Sequence, residues 1–116
     1  MPKILLFAAA LAAVPAFAFA ADTIPVAAAP TVVEIHNMKF NPVTLTIGAG
    51  TKVTWVNEDT APHTVTDRGR VFHSAALDTK DTFSYTFASP GEFTYFCTIH
   101  PMMVARIIVK PAGSSS

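Results

Sequence analysis

Two stretches of this chain alternate apolar and polar side chains with a period of two, and two more carry apolar side chains at every second position, which confines all four to extended strands. In 43–47 the apolar positions are Val43, Leu45 and Ile47, and in 82–87 they are Phe83, Tyr85 and Phe87. In 92–97 the period of two puts Phe93, Tyr95 and Cys97 on one side. In 104–110 it puts Ala105, Ile107 and Val109 on one side, with Arg106 and Lys110 on the other. Successive strand side chains point to opposite faces, so each stretch offers one face to a core and one to water. Further strands are expected at 31–36, at 51–57 with Val53 and Trp55 on one face, and briefly at 63–66. Gly48-Ala49-Gly50 and Ser89-Pro90-Gly91 mark turns between them. Residues 67–80 have no strong period and are expected to wrap an edge. No stretch after residue 21 sustains a helical period. Seven or eight short strands at this spacing predict an all-β, single-domain antiparallel sandwich with Greek-key connections.

The first twenty residues do not belong to that pattern. Lys3 gives a positive start, residues 4–17 are almost wholly apolar, and Ala18-Phe19-Ala20 supplies small residues for cleavage. These are the parts of a secretory signal peptide, and the run is short for a membrane span. Cleavage is expected before Ala21, with export to the periplasm and no membrane span in the mature form. Residues 21–30, with two prolines, read as a flexible leader, 31–110 as the domain and 111–116 as a flexible tail. Loss of Lys3 leaves seven Lys and Arg against eight Asp and Glu, a net charge of −1. That balance gives no basic footprint for nucleic acid and little long-range steering of a partner.

Cys97 is the one cysteine of an exported chain, so it has no partner for an internal disulfide. A lone thiol there is exposed to oxidation unless it is buried or ligated. Burial as a small hydrophobe is the simpler alternative, but its surroundings argue for ligation. Cys97-Thr98-Ile99-His100-Pro101-Met102-Met103 places thiolate, imidazole and thioether within seven residues, as Cys-x2-His-x2-Met. Soft sulfur with imidazole suits copper, and two His, one Cys and a weak axial Met form the ligand pattern of blue-copper sites. His63, 34 residues before Cys97, supplies the second imidazole from another loop at the same end of the sandwich. The expected site is one copper ion held by His63, Cys97, His100 and Met103. Met102, next to Pro101, is expected to point outward. His36 and His73 lack clustered partners and are expected to be structural or exposed. Thioether is a poor zinc ligand, and no Cys-x-x-Cys-His is present for covalent haem.

Met38-Lys39-Phe40-Asn41-Pro42, Val53-Thr54-Trp55, Pro62-His63-Thr64-Val65, Phe83-Ser84-Tyr85-Thr86-Phe87 and Phe93-Thr94-Tyr95-Phe96-Cys97 through Met103 together resemble the cupredoxins. The likeness runs from about Val33 to Lys110. It implies a periplasmic one-electron carrier, not an enzyme, with a type 1 copper cycling between Cu(I) and Cu(II). His63, Cys97 and His100 would be its equatorial ligands and Met103 its axial one. Thr64 stands where many members have Asn, and it is expected to hydrogen-bond across to Thr98. Ile99 replaces a common proline and restores a backbone N–H near the sulfur. His100 is expected to show an edge at the surface, ringed by Ala61, Pro62, Pro101 and Met102. Redox protein partners would dock a monomer at that apolar patch. Copper trafficking or buffering in the periplasm is the alternative, since it would use the same ligands.

Overall fold

The computed structural model describes residues 31–113. The segment expected to be cleaved, the leader and the last three residues of the tail lie outside them. Eight strands are present among the described residues: β1 Thr31–His36, β2 Lys39–Asn41, β3 Thr44–Gly48, β4 Thr51–Asn57, β5 Thr66–Asp67, β6 Thr82–Phe87, β7 Gly91–Phe96 and β8 Val104–Lys110. They form two four-stranded sheets in the orders β2-β1-β4-β6 and β3-β8-β7-β5. The expected all-β sandwich is thus in place.

Most neighbours run antiparallel, but β1 pairs β4 and β3 pairs β8 in parallel. The reason lies in the connections. Two antiparallel neighbours can be joined by a short hairpin loop, as β7 and β8 are through residues 97–103, whereas parallel neighbours need a long crossover. β2 and β3 intervene between β1 and β4, and β3 belongs to the other sheet. The chain therefore crosses between layers before it returns alongside its first strand.

The alternation of β8 is realised in full: Ala105, Ile107 and Val109 are buried, with Arg106 and Lys110 exposed. Val53 and Trp55 share the buried face of β4. Trp55 is the hub, with Tyr95 edge-on at 5.5 Å between centroids, Phe72 stacked at 5.7 Å and Phe83 at 5.7 Å. Such pairs add about 0.5–1.5 kcal/mol each beyond the area they bury. Gly50, between β3 and β4, has φ 97°, a left-handed conformation that glycine adopts without strain.

Three expectations are corrected. Val43 does not face the core; it precedes β3 and is 58% exposed, because the strand begins only at Thr44 after Pro42. The extended piece expected at 63–66 pairs as a strand only at Thr66–Asp67, while His63 makes an isolated bridge to Leu77. The segment at 67–80 wraps an edge but also fills the core, through Phe72 and Leu77. Both are deeply buried, and their contacts are set by the tertiary fold rather than by any local period. β2, three residues long, gives too short a run to show alternation.

Candidate metal centre

The Cys97–Met103 loop grows from the end of the β7–β8 hairpin. Phe96 is the last residue of β7 and pairs with Val104, the first of β8. Inside that pair the loop closes on itself: Cys97 N–H donates to the Met103 carbonyl at 3.2 Å, and Met103 N–H donates to the His100 carbonyl at 2.9 Å. The closure turns Cys97 inward, where it is fully buried, and holds Met103 at 3% exposure. His100 is half-buried, and Met102 stands out at 83% exposure, as expected.

His63 arrives from the loop after β4 and is fully buried. Two backbone hydrogen bonds join it to Leu77: His63 N–H to the Leu77 carbonyl at 3.1 Å, and the reverse at 2.7 Å. Asn57, the last residue of β4 and also fully buried, donates from Nδ2 to the carbonyls of Ala61 and Leu77, both at 2.9 Å. Its Oδ1 accepts from Asp59 N–H at 2.9 Å. One amide side chain thus sets the path of the loop that delivers His63.

The donor atoms converge. His63 Nδ1 lies 3.8 Å from Cys97 Sγ, and His100 Nδ1 lies 3.7 Å from it. All three donor atoms fall within 4.8 Å of one another. Metal–nitrogen bonds of about 2.0–2.1 Å and metal–sulfur bonds of about 2.3 Å, as for a comparable first-row ion, would span the nitrogen–sulfur separations. Two imidazoles and a thiolate gathered this closely fit copper. Met103, tied by its backbone to both Cys97 and His100, is buried in the same loop and brings a thioether to it. His36 and His73 stay outside the cluster, and both are exposed.

Asp59 fixes which nitrogen of His63 faces the metal position. Its Oδ2 lies 2.8 Å from His63 Nε2, so Nε2–H donates to the carboxylate and the Nδ1 lone pair is left toward Cys97. A carboxylate behind a ligand imidazole sets its tautomer and orientation and raises its basicity. The same carboxylate accepts from Asn37 N–H at 2.7 Å and Met38 N–H at 2.9 Å. Burial works against the charge on Asp59, but those hydrogen bonds outweigh it and hold the carboxyl below the usual carboxylate value.

Thr64 ties the two loops together. Its N–H donates to Cys97 Sγ at 3.3 Å. Its Oγ1 accepts from Thr98 N–H at 2.8 Å and lies 2.9 Å from Thr98 Oγ1, the expected link between loops. The backbone N–H that reaches the sulfur is therefore that of Thr64, rather than the one restored at Ile99. Asp59 and Asn57 were missed in the sequence. A carboxylate four residues before a candidate ligand was the signal available for Asp59.

The fold and this donor set have known counterparts. Residues 4–109 match the family described as the cupredoxin-like domain. This chain belongs to the cupredoxins. Among its relatives, amicyanin-alpha of Methylorubrum extorquens is 36% identical over 118 residues, covering 93% of this chain and 99% of that protein. Amicyanin of Paracoccus versutus is 38% identical, covering 74% of this chain and 73% of that one. A Cu(I) form of a methionine-to-alanine variant of amicyanin superposes with a TM-score of 0.67 at 32% identity. It covers 74% of this chain and 87% of its own.

Proposed function

We propose that this chain is a periplasmic electron carrier whose single type 1 copper is held by His63, Cys97 and His100, with Met103 as the axial ligand. The observation that carries the reading is the convergence of two imidazole nitrogens on one buried sulfur at 3.7–3.8 Å. A bound copper ion would supply a one-electron couple between Cu(I) and Cu(II).

The chain's own residues supply the rest. Cys97 holds its thiolate away from water at full burial, and the Thr64 N–H gives that sulfur a donor. His63 is locked on three sides, by Asp59, Leu77 and the core. Those hydrogen bonds hold the donors in place, so little has to move when the charge at the centre changes. His100 reaches the surface, where it serves as the electron outlet. Around it lie exposed Ile99, Pro62, Pro101 and Met102, with Ala61 half-buried. We read this as a small apolar docking patch for redox protein partners of a monomer. Among the described residues no helix is long and apolar enough to cross a membrane. Export, with cleavage before Ala21, belongs to the same reading, and we infer a carrier rather than an enzyme.

The test is the visible spectrum of the mature protein loaded with Cu(II), beside its Cys97→Ser variant. An intense thiolate-to-copper band in the first and none in the second is expected. A colourless parent protein would overturn the reading.

A further inference from the structure

Four of the large apolar side chains that the fold leaves exposed gather at one place. Met38, Val43, Met102 and Val104 line a single cavity of about 360 Å3, together with Asn37, Lys39, Phe40 and Met103. Three of the chain's four methionines therefore share this cavity. Met38 at 40% exposure and Met102 at 83% stand at its rim, and Met103 at 3% is its buried wall. Nothing in the packing of the sandwich calls for an unbranched thioether at an 83%-exposed position. Met38 is also held in an unusual way. It sits at φ 60°, where a bulky residue is uncommon, and its N–H is bonded to Asp59 Oδ2. That oxygen also accepts from His63, so the rim and the metal centre are fixed to one carboxylate.

We propose that this cavity is a receiving site for Cu(I): Met38 and Met102 capture the ion and pass it by thioether exchange to Met103. The inference rests on the reading that Cys97, His63 and His100 hold copper beyond that wall. Neutral thioethers are soft donors that suit Cu(I), and they bind without releasing a proton. Val43, Val104 and Phe40 give the cavity an apolar lining. The Lys39 ammonium is its one charged group, and it repels a divalent ion with twice the energy it applies to a monovalent one. The transfer is ligand exchange without change of oxidation state. The single proton involved leaves the Cys97 thiol for solvent when the sulfur takes the ion.

The experiment uses the mature apoprotein and Cu(I) presented by a coloured chelator without oxygen. The parent is compared with a Met38→Leu, Met102→Leu double variant, which keeps volume and apolarity and should melt like the parent. The double variant is expected to take up its copper several-fold more slowly, then to show the same visible spectrum after oxidation. Cys97→Ser, which keeps His63, His100 and Met103, is expected still to draw Cu(I) from the chelator, and adding the two leucines should slow that uptake several-fold. Uptake at the parent rate by the double variant overturns the proposal. So does normal uptake joined to slowed electron exchange with a redox partner, which would make the methionines a docking surface only. A parent that never turns blue sinks the assigned function instead, and the Cys97→Ser titration still reports on the methionines.

Discussion

The two imidazoles of the metal centre are held in opposite ways. His63 is fully buried, joined to Leu77 by two backbone bonds, and backed by a carboxylate at 2.8 Å. His100 is half-buried on a seven-residue turn, and its ring has no neighbour within hydrogen-bonding reach among the described residues other than the Cys97 sulfur. One ligand belongs to the sandwich and the other belongs to the surface. A carrier needs both: a fixed frame so that little reorganises with the electron, and an edge through which a partner can reach the centre.

The sharpest break of this comparison is to delete each ring in turn. His63→Gly should lose about 2–5 kcal/mol of stability, since it opens a cavity in a packed interior and takes one hydrogen-bond donor from Asp59. His100→Gly should melt close to the parent. Added imidazole should restore a copper–thiolate band to the second variant and not to the first, as visible titration would show. Equal rescue would erase the distinction. Asp59→Ala comes next, because it strands the amides of Asn37 and Met38 and the His63 Nε2–H together. A loss of about 2 kcal/mol in the apoprotein is expected from denaturant midpoints. Asp59→Asn sharpens the same point through pH. A carboxyl held below its ordinary value stabilises the fold fully above that value, near pH 4, and loses the contribution as pH falls through the lowered one. The gap between parent and Asp59→Asn apoproteins should therefore be present above about pH 4 and close in stronger acid. The smallest effect is expected from Thr64→Val, which leaves Thr98 N–H without its acceptor. About 1 kcal/mol should go, with a modest shift of the visible band.

How much of this could be read from residues alone follows the same division. β8 and the face of β4 were legible because burial on one side imposes a period of two. The Cys97–Met103 loop was legible because its donors are local and their spacing survives any fold. His63 could be paired with that loop only by the chemistry of the donor set. Asp59 offered only its place four residues before His63, because its other partners Asn37 and Met38 lie more than twenty residues away and meet it only in space. Phe72 was hidden for a similar reason. It packs against Trp55, Tyr85 and Phe87, yet its own neighbours in the chain carry no period.

The bridge between His63 and Leu77 has one more consequence. Leu77 lies in the core cluster, and the segment that carries it also carries Phe72 to the aromatic hub. The pocket cannot slacken on its own, since letting go of residue 63 means pulling a plug from the interior. Collapse of the pocket and the melting of the whole sandwich should then behave as one event. An emptied chain would keep its receptacle in shape, ready for refilling, until the entire body gives way.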